Sequence, residues 1–367
     1  MTTALHFIHL WETPRQYPFS GAENHLLTLL PALRAAGVAV ELGALIVREG
    51  PVVTRRLARL EADGFPVHRF PLRPVIDPRC LGRLRGFLAG QRASIIHTHL
   101  DYADANVKLA ARWAGCRRVV TSVHNAEPGH RRPQWFYLLR LLEALTPRYI
   151  AISEAVRRHL VEVERVPPAK VQVIPYGLPP APAGPERASL RQALGLDDRQ
   201  PVVGFVGRLT PQKNVAWLLR ALARLPQVTG LILGDGEDRP ALEQAAGALP
   251  NVRFLGHREQ AADWMRAFDV LCLPSRWEGL GLVLVEAMLR RVPVVAARVG
   301  PIPEVLGDGR FGWLCESDDV DGLAAALRAA LAAPAALVEA AYQHARTTYA
   351  LEQMVARTLA VYAELAA

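Results

Sequence analysis

Arg276-Trp277-Glu278-Gly279-Leu280-Gly281-Leu282-Val283-Leu284-Val285-Glu286-Ala287-Met288 follows the near-continuous apolar run 270–274. The run has strand length and no alternation, the pattern of a strand buried on both faces. Two glycines then punctuate a turn, and a helical spacing of apolar residues begins. Strand, glycine turn and helix in that order place unpaired backbone N–H groups at a strand's carboxyl end, which suits an anion. Glu278 falls in the turn and Glu286 about two helical turns later. In isolation the pair carries little, since a chain with 21 Glu holds about one Glu–x7–Glu pair by chance. Its setting gives it weight.

The same grammar recurs outward along the chain. Val206-Gly207-Arg208-Leu209-Thr210-Pro211-Gln212-Lys213-Asn214 follows the apolar run 201–206. Thr210 is the expected cap of a helix whose first residue is Pro211. Arg208 and Lys213 flank that turn, and two cations at a helix start oppose its dipole unless an anion sits there. Leu231-Ile232-Leu233-Gly234-Asp235-Gly236-Glu237 is a third strand–glycine turn. It lacks the third glycine of a dinucleotide fingerprint and reads as a plain tight turn. Further strand-length runs lie at 4–11, 39–47, 67–72, 94–100, 118–124, 149–153 and 171–176, and again at 230–233, 252–255, 292–296 and 312–315. They alternate with helix-like segments, which predicts βαβ units and an α/β fold with parallel sheets. The series restarts after Pro179-Pro180-Ala181-Pro182-Ala183-Gly184-Pro185, which cannot form a helix interior. The reading is two doubly wound Rossmann-like domains, 1–178 and 201–345. A linker at 179–200 joins them, and a final helical segment, 346–367, crosses back to the first domain. Ligands of such sheets bind beyond the carboxyl ends of the strands, here in the cleft expected between the domains.

With 51% hydrophobic and 21% charged residues, the 367-residue chain is too apolar for intrinsic disorder. No run of about 18 uncharged apolar residues exists. Residues 1–11 lack a basic leader and a cleavage site, and read as a buried strand. Four dispersed cysteines, Cys80, Cys116, Cys272 and Cys315, support neither a disulfide framework nor a zinc site. A reducing cytoplasm is expected. The formal charge is +8, and it is uneven. Residues 1–170 carry 24 basic against 14 acidic residues, the rest 19 against 21. Only Lys108, Lys170 and Lys213 among the 43 basic residues are lysines, so a genomic arginine bias is one reading of the excess. An anionic partner for the first half is the other.

In that half, Ser20-Gly21-Ala22-Glu23 opens a helix after the first strand, and His124 ends the run 118–124. His124 stands at a carboxyl strand end, aimed at the expected cleft or bonded in the structure. His97 and His99 alternate on a strand end, where a core role is favoured. No nucleophile elbow, serine triad ordering or zinc helix motif is present.

Together Gly21-Ala22-Glu23, His124, Gly207-Arg208-Leu209 with Lys213, Gly234-Asp235-Gly236-Glu237 and Glu278 to Glu286 resemble the retaining GT-B enzymes of glycosyltransferase family 4. Val173-Ile174-Pro175-Tyr176-Gly177 and Gly300-Pro301-Ile302-Pro303-Glu304-Val305 extend the likeness over the whole chain. The resemblance implies that Arg208 and Lys213 hold the nucleotide diphosphate of a sugar donor. It implies that Glu286 bonds the ribose, and that Glu278 bonds the donor sugar with the amides of Gly279, Leu280, Gly281 and Leu282 around it. Gly207 would be part of the donor loop. Gly21 would let the backbone approach the diphosphate, His124 would reach the sugar, and Ser20 and Glu23 would face the acceptor. A guanidinium, an ammonium and a helix start can stabilise a departing diphosphate without a metal. No Asp-x-Asp stands in a suitable place, so no metal or other cofactor is expected. The family's double glycine is Ser20-Gly21 here, and Tyr176 stands where asparagine is common. Both departures bear on acceptor identity.

The expected reaction is transfer of a sugar to a glycan or lipid-linked acceptor in envelope or exopolysaccharide biosynthesis. A nucleotide-sugar epimerase and a non-catalytic sugar-nucleotide module are the alternatives. The first would want more acid–base carboxylates. The second does not need Arg208, Lys213, Glu278 and Glu286 intact. The segment His130-Arg131-Arg132-Pro133-Gln134-Trp135-Phe136-Tyr137-Leu138-Leu139-Arg140-Leu141-Leu142 puts Trp135, Leu138, Leu139 and Leu142 on one helical face. That face either joins the core or contacts an anionic membrane surface. Nucleic acid is not an expected partner, for no recognition motif accompanies the charge.

Overall fold

The computed structural model describes residues 2–12, 21–73, 76–91, 94–125, 142–258 and 260–367. Ser20 and nearly all of the basic–aromatic segment 130–142 lie outside the described residues. The chain forms two compact units, Met1–Gly177 with Leu351–Ala367, and Leu178–Ala350.

Unit 1 is built on seven parallel strands: β1 (Thr3–Trp11), β2 (Ala39–Arg48), β3 (Val67–Pro71), β4 (Ile95–His99), β5 (Val119–Val123), β6 (Arg148–Ala151) and β7 (Val171–Val173). Their order is β3-β2-β1-β4-β5-β6-β7, so the direction of winding reverses between β1 and β4. Unit 2 repeats the plan with β8 (Val202–Val206), β9 (Thr229–Leu233), β10 (Val252–Gly256), β11 (Val270–Leu273), β12 (Val294–Ala297) and β13 (Trp313–Cys315), ordered β10-β9-β8-β11-β12-β13. These are doubly wound, Rossmann-like sheets. Every apolar run quoted above contributes a strand, because strands covered on both faces tolerate few polar residues.

In unit 1 the helix Gly21–Ala35 covers one face of the sheet with Leu26, Leu29, Leu30 and Leu33, packed with Ile8 and Leu42. The other face is covered by Leu84, Ala103, Val107 and Ala111 against Phe7 and Ile96. Each fully buried leucine contributes roughly 1.5–3 kcal/mol. The last helix, Leu351–Ala366, seats Met354, Val361 and Tyr362 in the first of these clusters. The change of unit falls at Leu351, whereas residue 346 lies inside the helix Ala335–Thr348.

The stretch 179–200 is more than a connector. The proline run ends at Pro185, and the helix Arg187–Ala193 follows. The fully buried Arg191 donates from Nη1 to the Ala267 carbonyl at 3.1 Å and from Nη2 to that of Asp197 at 2.8 Å. Arg187 donates to the Phe268 carbonyl at 2.9 Å. Two arginines thus fasten this stretch to the body of unit 2. Leu178 donates its N–H to the Tyr349 carbonyl at 2.8 Å, pairing the unit's entry and exit strands.

Candidate active site

In unit 2 the winding reverses between β8 and β11. Ligands of doubly wound sheets bind beyond such a point, and both charged motifs leave the sheet there. Arg208 and Lys213 follow β8, and Glu278 follows β11. Lys213 Nζ lies 2.5 Å from Glu278 Oε1, and Ser275 Oγ donates to the same oxygen at 2.6 Å. Both charged side chains are largely covered, 15% and 7% exposed, so their attraction is little screened. Both contacts fall on Oε1, which leaves Oε2 able to accept a hydroxyl. The ammonium's three donors leave two for a phosphate.

Gln212 joins the two loops. Arg208 Nη2 donates to its Oε1 at 3.3 Å, its Nε2 donates to the Trp277 carbonyl at 3.0 Å, and its own carbonyl accepts from Arg276 N at 2.8 Å. Neither Gln212 nor Ser275 stands out in the sequence. Gln212 is an uncharged residue inside the Arg208–Lys213 turn and Ser275 one just ahead of Arg276, and only the meeting of the two loops gives them their partners.

The capping role read for Thr210 is corrected. The helix runs Val215–Leu222, and the residue before it, Asn214, is left-handed at φ 49°. A single left-handed residue interrupts the helical ladder, so 210–213 is a turn closed by Lys213 N on the Thr210 carbonyl at 2.9 Å. Arg208 and Lys213 therefore sit on a loop ahead of the helix, and Thr210 Oγ1 is buried without a partner among the described residues. The Gly234-Asp235-Gly236 turn is also more than a tight turn. A Cβ on Gly234, at φ +144°, would collide with the Gly207 carbonyl, and one on Gly236 with that of Leu209. The two glycines let the β9 turn support the Arg208 loop by backbone contact.

Leu280 is buried, and Gly281 is left-handed at φ 82° ahead of the helix Leu282–Met288. Gly279 is buried beside Glu278, and Gly300 lies against the Glu278 carbonyl, where a Cβ would come to 3.2 Å. Glu286 is partly buried on that helix. Desolvation pushes its carboxyl up to about 7, while the Arg290 charge pulls the other way.

In unit 1, Gly21 opens the helix Gly21–Ala35, and among the described residues no atom lies within 4 Å of where its Cβ would stand. Glu23 lies on its first turn, and its charge reaches the Tyr176 hydroxyl. His124 follows β5 and belongs to a chain of hydrogen bonds through the middle of the sheet, from Ser122 to Tyr176. Ser122 Oγ meets His97 Nε2 at 2.8 Å, and His97 Nδ1 meets Tyr362 Oη at 2.7 Å. Tyr362 Oη meets His6 Nε2 at 3.0 Å, and His6 Nδ1 meets His99 Nε2 at 3.1 Å. His99 Nδ1 meets His124 Nε2 at 3.0 Å, and His124 Nδ1 meets Tyr176 Oη at 2.5 Å. A neutral imidazole has one donor and one acceptor, so all these bonds can be made at once when every ring is neutral and all point one way along the chain. Burial agrees: it lowers His6 and His124 to about 3, and His97 and His99 well below 6.5. Both ring nitrogens of His124 are thus engaged, so a sugar hydroxyl would have to take over one of these bonds. Tyr176, the departure from the family pattern, holds His124 and stacks on His25 at 4.1 Å.

His6, His97 and His99 bring ring nitrogens within 4.8 Å of one another, the candidate metal ligands among the described residues. Their rings stack, His97 on His99 at 4.2 Å and 26°, His6 on His99 at 5.3 Å and 14°. Lone pairs in stacked planes run side by side and do not converge on one point. The nitrogens are also committed to each other, Tyr362 and Ser122. The arrangement suits a hydrogen-bonded array better than a ligand shell.

Two doubly wound, Rossmann-like units in one chain are the architecture of the GT-B class of glycosyltransferases. The crystal structure of Anabaena HepE in complex with UDP-glucose superposes with a TM-score of 0.80 over 98% of this chain and 100% of that one, at 25% identity. Residues 19–181 match Glycosyltransferase Family 4, and residues 200–333 match Glycosyl transferases group 1. Alpha-maltose-1-phosphate synthase of Mycobacterium tuberculosis is 33% identical over 281 residues, 67% of this chain and 72% of that protein. D-inositol 3-phosphate glycosyltransferase of Mycobacterium sp. (strain KMS) is 38% identical over 212 residues. There the match spans 54% of this chain and 48% of the relative, about half its length. The chain belongs to glycosyltransferase family 4. Among the described residues no single helix is long and apolar enough to cross a membrane.

Proposed function

We propose that the protein is a retaining, metal-independent glycosyltransferase. It moves a sugar from a nucleoside-diphosphate sugar to a glycan or lipid-linked acceptor, in the cytoplasm and in envelope or exopolysaccharide synthesis. The observation that carries this reading is the Lys213–Glu278 pair, 2.5 Å apart, beyond the switch point of the second sheet. That ammonium, fixed beside a carboxylate, is placed for a diphosphate, and donor turnover separates transfer from mere binding of a sugar nucleotide.

In this reading Arg208 and Lys213 hold the diphosphate and take up the charge that grows on it as the bond to the anomeric carbon breaks. Glu278 keeps Lys213 in place through Oε1 and accepts a donor-sugar hydroxyl on Oε2. Glu286 accepts from the ribose. The acceptor oxygen bonds to the anomeric carbon on the face the phosphate leaves, and its proton passes to a phosphate oxygen. Two fixed cations replace the metal in this account. His124 orients the sugar from a neutral ring, and Gly21, Ser20 and Glu23 serve the acceptor. Uridine is the favoured base, on the strength of the UDP-glucose held by HepE. The basic first half suits an anionic inner membrane surface. Sedimentation with anionic and neutral vesicles tests that point, and equal, negligible binding to both discards it.

The test of the whole reading is a thermal-shift panel with UDP, GDP, ADP, dTDP and CMP in EDTA, followed by donor turnover. One nucleoside diphosphate should raise the midpoint, since a ligand at about 100 times its Kd stabilises by about 2.7 kcal/mol. Lys213→Ala should lower turnover about 10²–10³-fold. A folded protein that responds to none of the five would overturn the donor site.

A further inference from the structure

A second cluster of cations lies in unit 2, past the C-terminal end of the helix Leu282–Met288 and so at the opposite end of that helix from Gly281. Arg266, Arg290, Arg291 and Arg346 line a pocket of 260 Å³ with Tyr342 and Leu289, closed on one side by residues 180–183. The Arg290 side chain is only 7% exposed. It donates from Nη1 to the Glu286 carbonyl at 3.1 Å, and its Nη2 lies 3.5 Å from Asp263 Oδ1. Its Nε has no partner among the described residues. Arg266 donates from Nη2 to the Pro182 carbonyl at 2.7 Å, and its Nε is likewise buried without a partner among the described residues. Neither Nε is reachable from the pocket, so what the pocket offers a ligand is the charge of its four guanidinium groups. Arg291 pairs with Glu339 at 2.9 Å and lies 3.7 Å above the Tyr342 ring. Arg346 approaches the same ring at 5.9 Å. Among the described residues Asp263, Glu339 and Glu286, whose carboxyl lies in the field of Arg290, face the four guanidinium groups, which leaves one positive charge over. Arg291 itself sits at φ 57° just past a helix end, where glycine is the favoured residue. The chain holds a guanidinium there against the preference of its backbone.

We infer that this pocket binds a phosphoryl group on a small molecule, at a site separate from the Lys213–Glu278 site. Planar guanidinium forks match phosphate oxygens two at a time. The volume suits phosphate, pyrophosphate or a small organic phosphate, with Leu289 and the proline-rich wall against the organic part.

The probe is pyrophosphate, titrated calorimetrically at constant ionic strength. Because the donor site also takes it, the background is Arg208→Ala/Lys213→Ala. Saturable binding should persist there and weaken at least tenfold with Arg291→Gly and again with Arg346→Gln. The left-handed backbone suits the glycine, so Arg291→Gly should fold, and its thermal midpoint checks this. Absence of saturable binding in the double-variant background overturns the inference, as does equal affinity with Arg291 and Arg346 both replaced. The pocket then holds only water. A second arm uses vesicles containing phosphatidic acid. Arginine-dependent binding to vesicles without binding to free pyrophosphate overturns the small-molecule assignment and makes the source a lipid headgroup.

Discussion

Unit 1 should be far more sensitive to mild acid than unit 2. His6, His25, His97 and His99 are almost wholly buried. Burial holds His6 at about 3 and the other three well below 6.5. The folded chain therefore binds no proton at these rings near pH 6, while the unfolded chain binds one at each below its ordinary value of about 6.5. Stability rises with pH wherever the unfolded state holds more protons. The loss accordingly begins as pH falls through about 6.5 and continues toward the folded-state values. Between pH 7.0 and 5.5 each ring costs a little over 1 kcal/mol, so these four cost about 5 kcal/mol, comparable with the whole stability of many domains, and His9 and His124, lowered to about 4 and about 3, add to it. Unit 2 has only His257 and His344, of which His344 is lowered and half-buried. Urea unfolding at the two pH values, with hydrogen exchange read by mass spectrometry, separates the units. Protection of 2–12, 95–123 and 351–366 should collapse at pH 5.5 while 202–273 stays protected. His99→Asn should reduce the pH slope by about one proton. If unit 1 loses less than about 1 kcal/mol, or both units lose equally, the neutral array is refuted.

Nucleotide affinity should follow Glu286. With its carboxyl near 7, the ionised form that accepts two ribose hydroxyls rises about tenfold between pH 6 and 8. UDP should bind about tenfold tighter at pH 8, and Glu286→Gln should flatten the part of that dependence that exceeds the nucleotide's own titration. Tyr362→Phe deletes the hydroxyl shared by His97 and His6, and should cost unit 1 about 1–3 kcal/mol at pH 7 in urea. Gly234→Ala combines a φ of +144° with a collision against the Gly207 carbonyl, so it should cost unit 2 roughly 3 kcal/mol or more. It should also displace the Arg208 loop and weaken UDP binding in the thermal-shift assay.

The strands were legible because each is covered on both faces, and a short apolar run between helical segments fits little besides a buried strand. The start of the helix after β8 was not. Thr210-Pro211 is an ordinary helix opening, and only the left-handed Asn214 postpones it, a choice of one residue's backbone that no pattern announces. Lys213 and Glu278 were each visible on their own loop, but their pairing across 65 residues follows from β8 and β11 being neighbours. The histidine chain is the clearest gap. His97 and His99 look like core residues on a strand end, yet their partners are His6, 93 residues from His99, and Tyr362, 265 from His97. The order β1-β4 and the return of the last helix bring them together, and neither can be read from spacing.

The two sheets share a strand order but use their switch points differently. In unit 2 the strands flanking the reversal are apolar, and charge appears only in the loops beyond them, at Arg208, Lys213 and Glu278. A diphosphate can reach such groups without entering the core. In unit 1 the polar groups are inside the strands, at His6, His97 and His99, and they are neutral and bonded to one another. A charged side chain at those positions would stand in low dielectric without a counter-ion, whereas a neutral ring gives the sheet directional hydrogen bonds at lower cost. Through His6, His99 and His124 the direction of those bonds is set as a unit, since reversing one ring leaves two donors or two acceptors facing, while the Tyr362 hydroxyl can donate to His6 or accept from it. The tautomer that His124 presents is therefore tied to those of His99 and His6. The last helix, which supplies Tyr362, closes the array whichever nitrogen of His124 carries the proton.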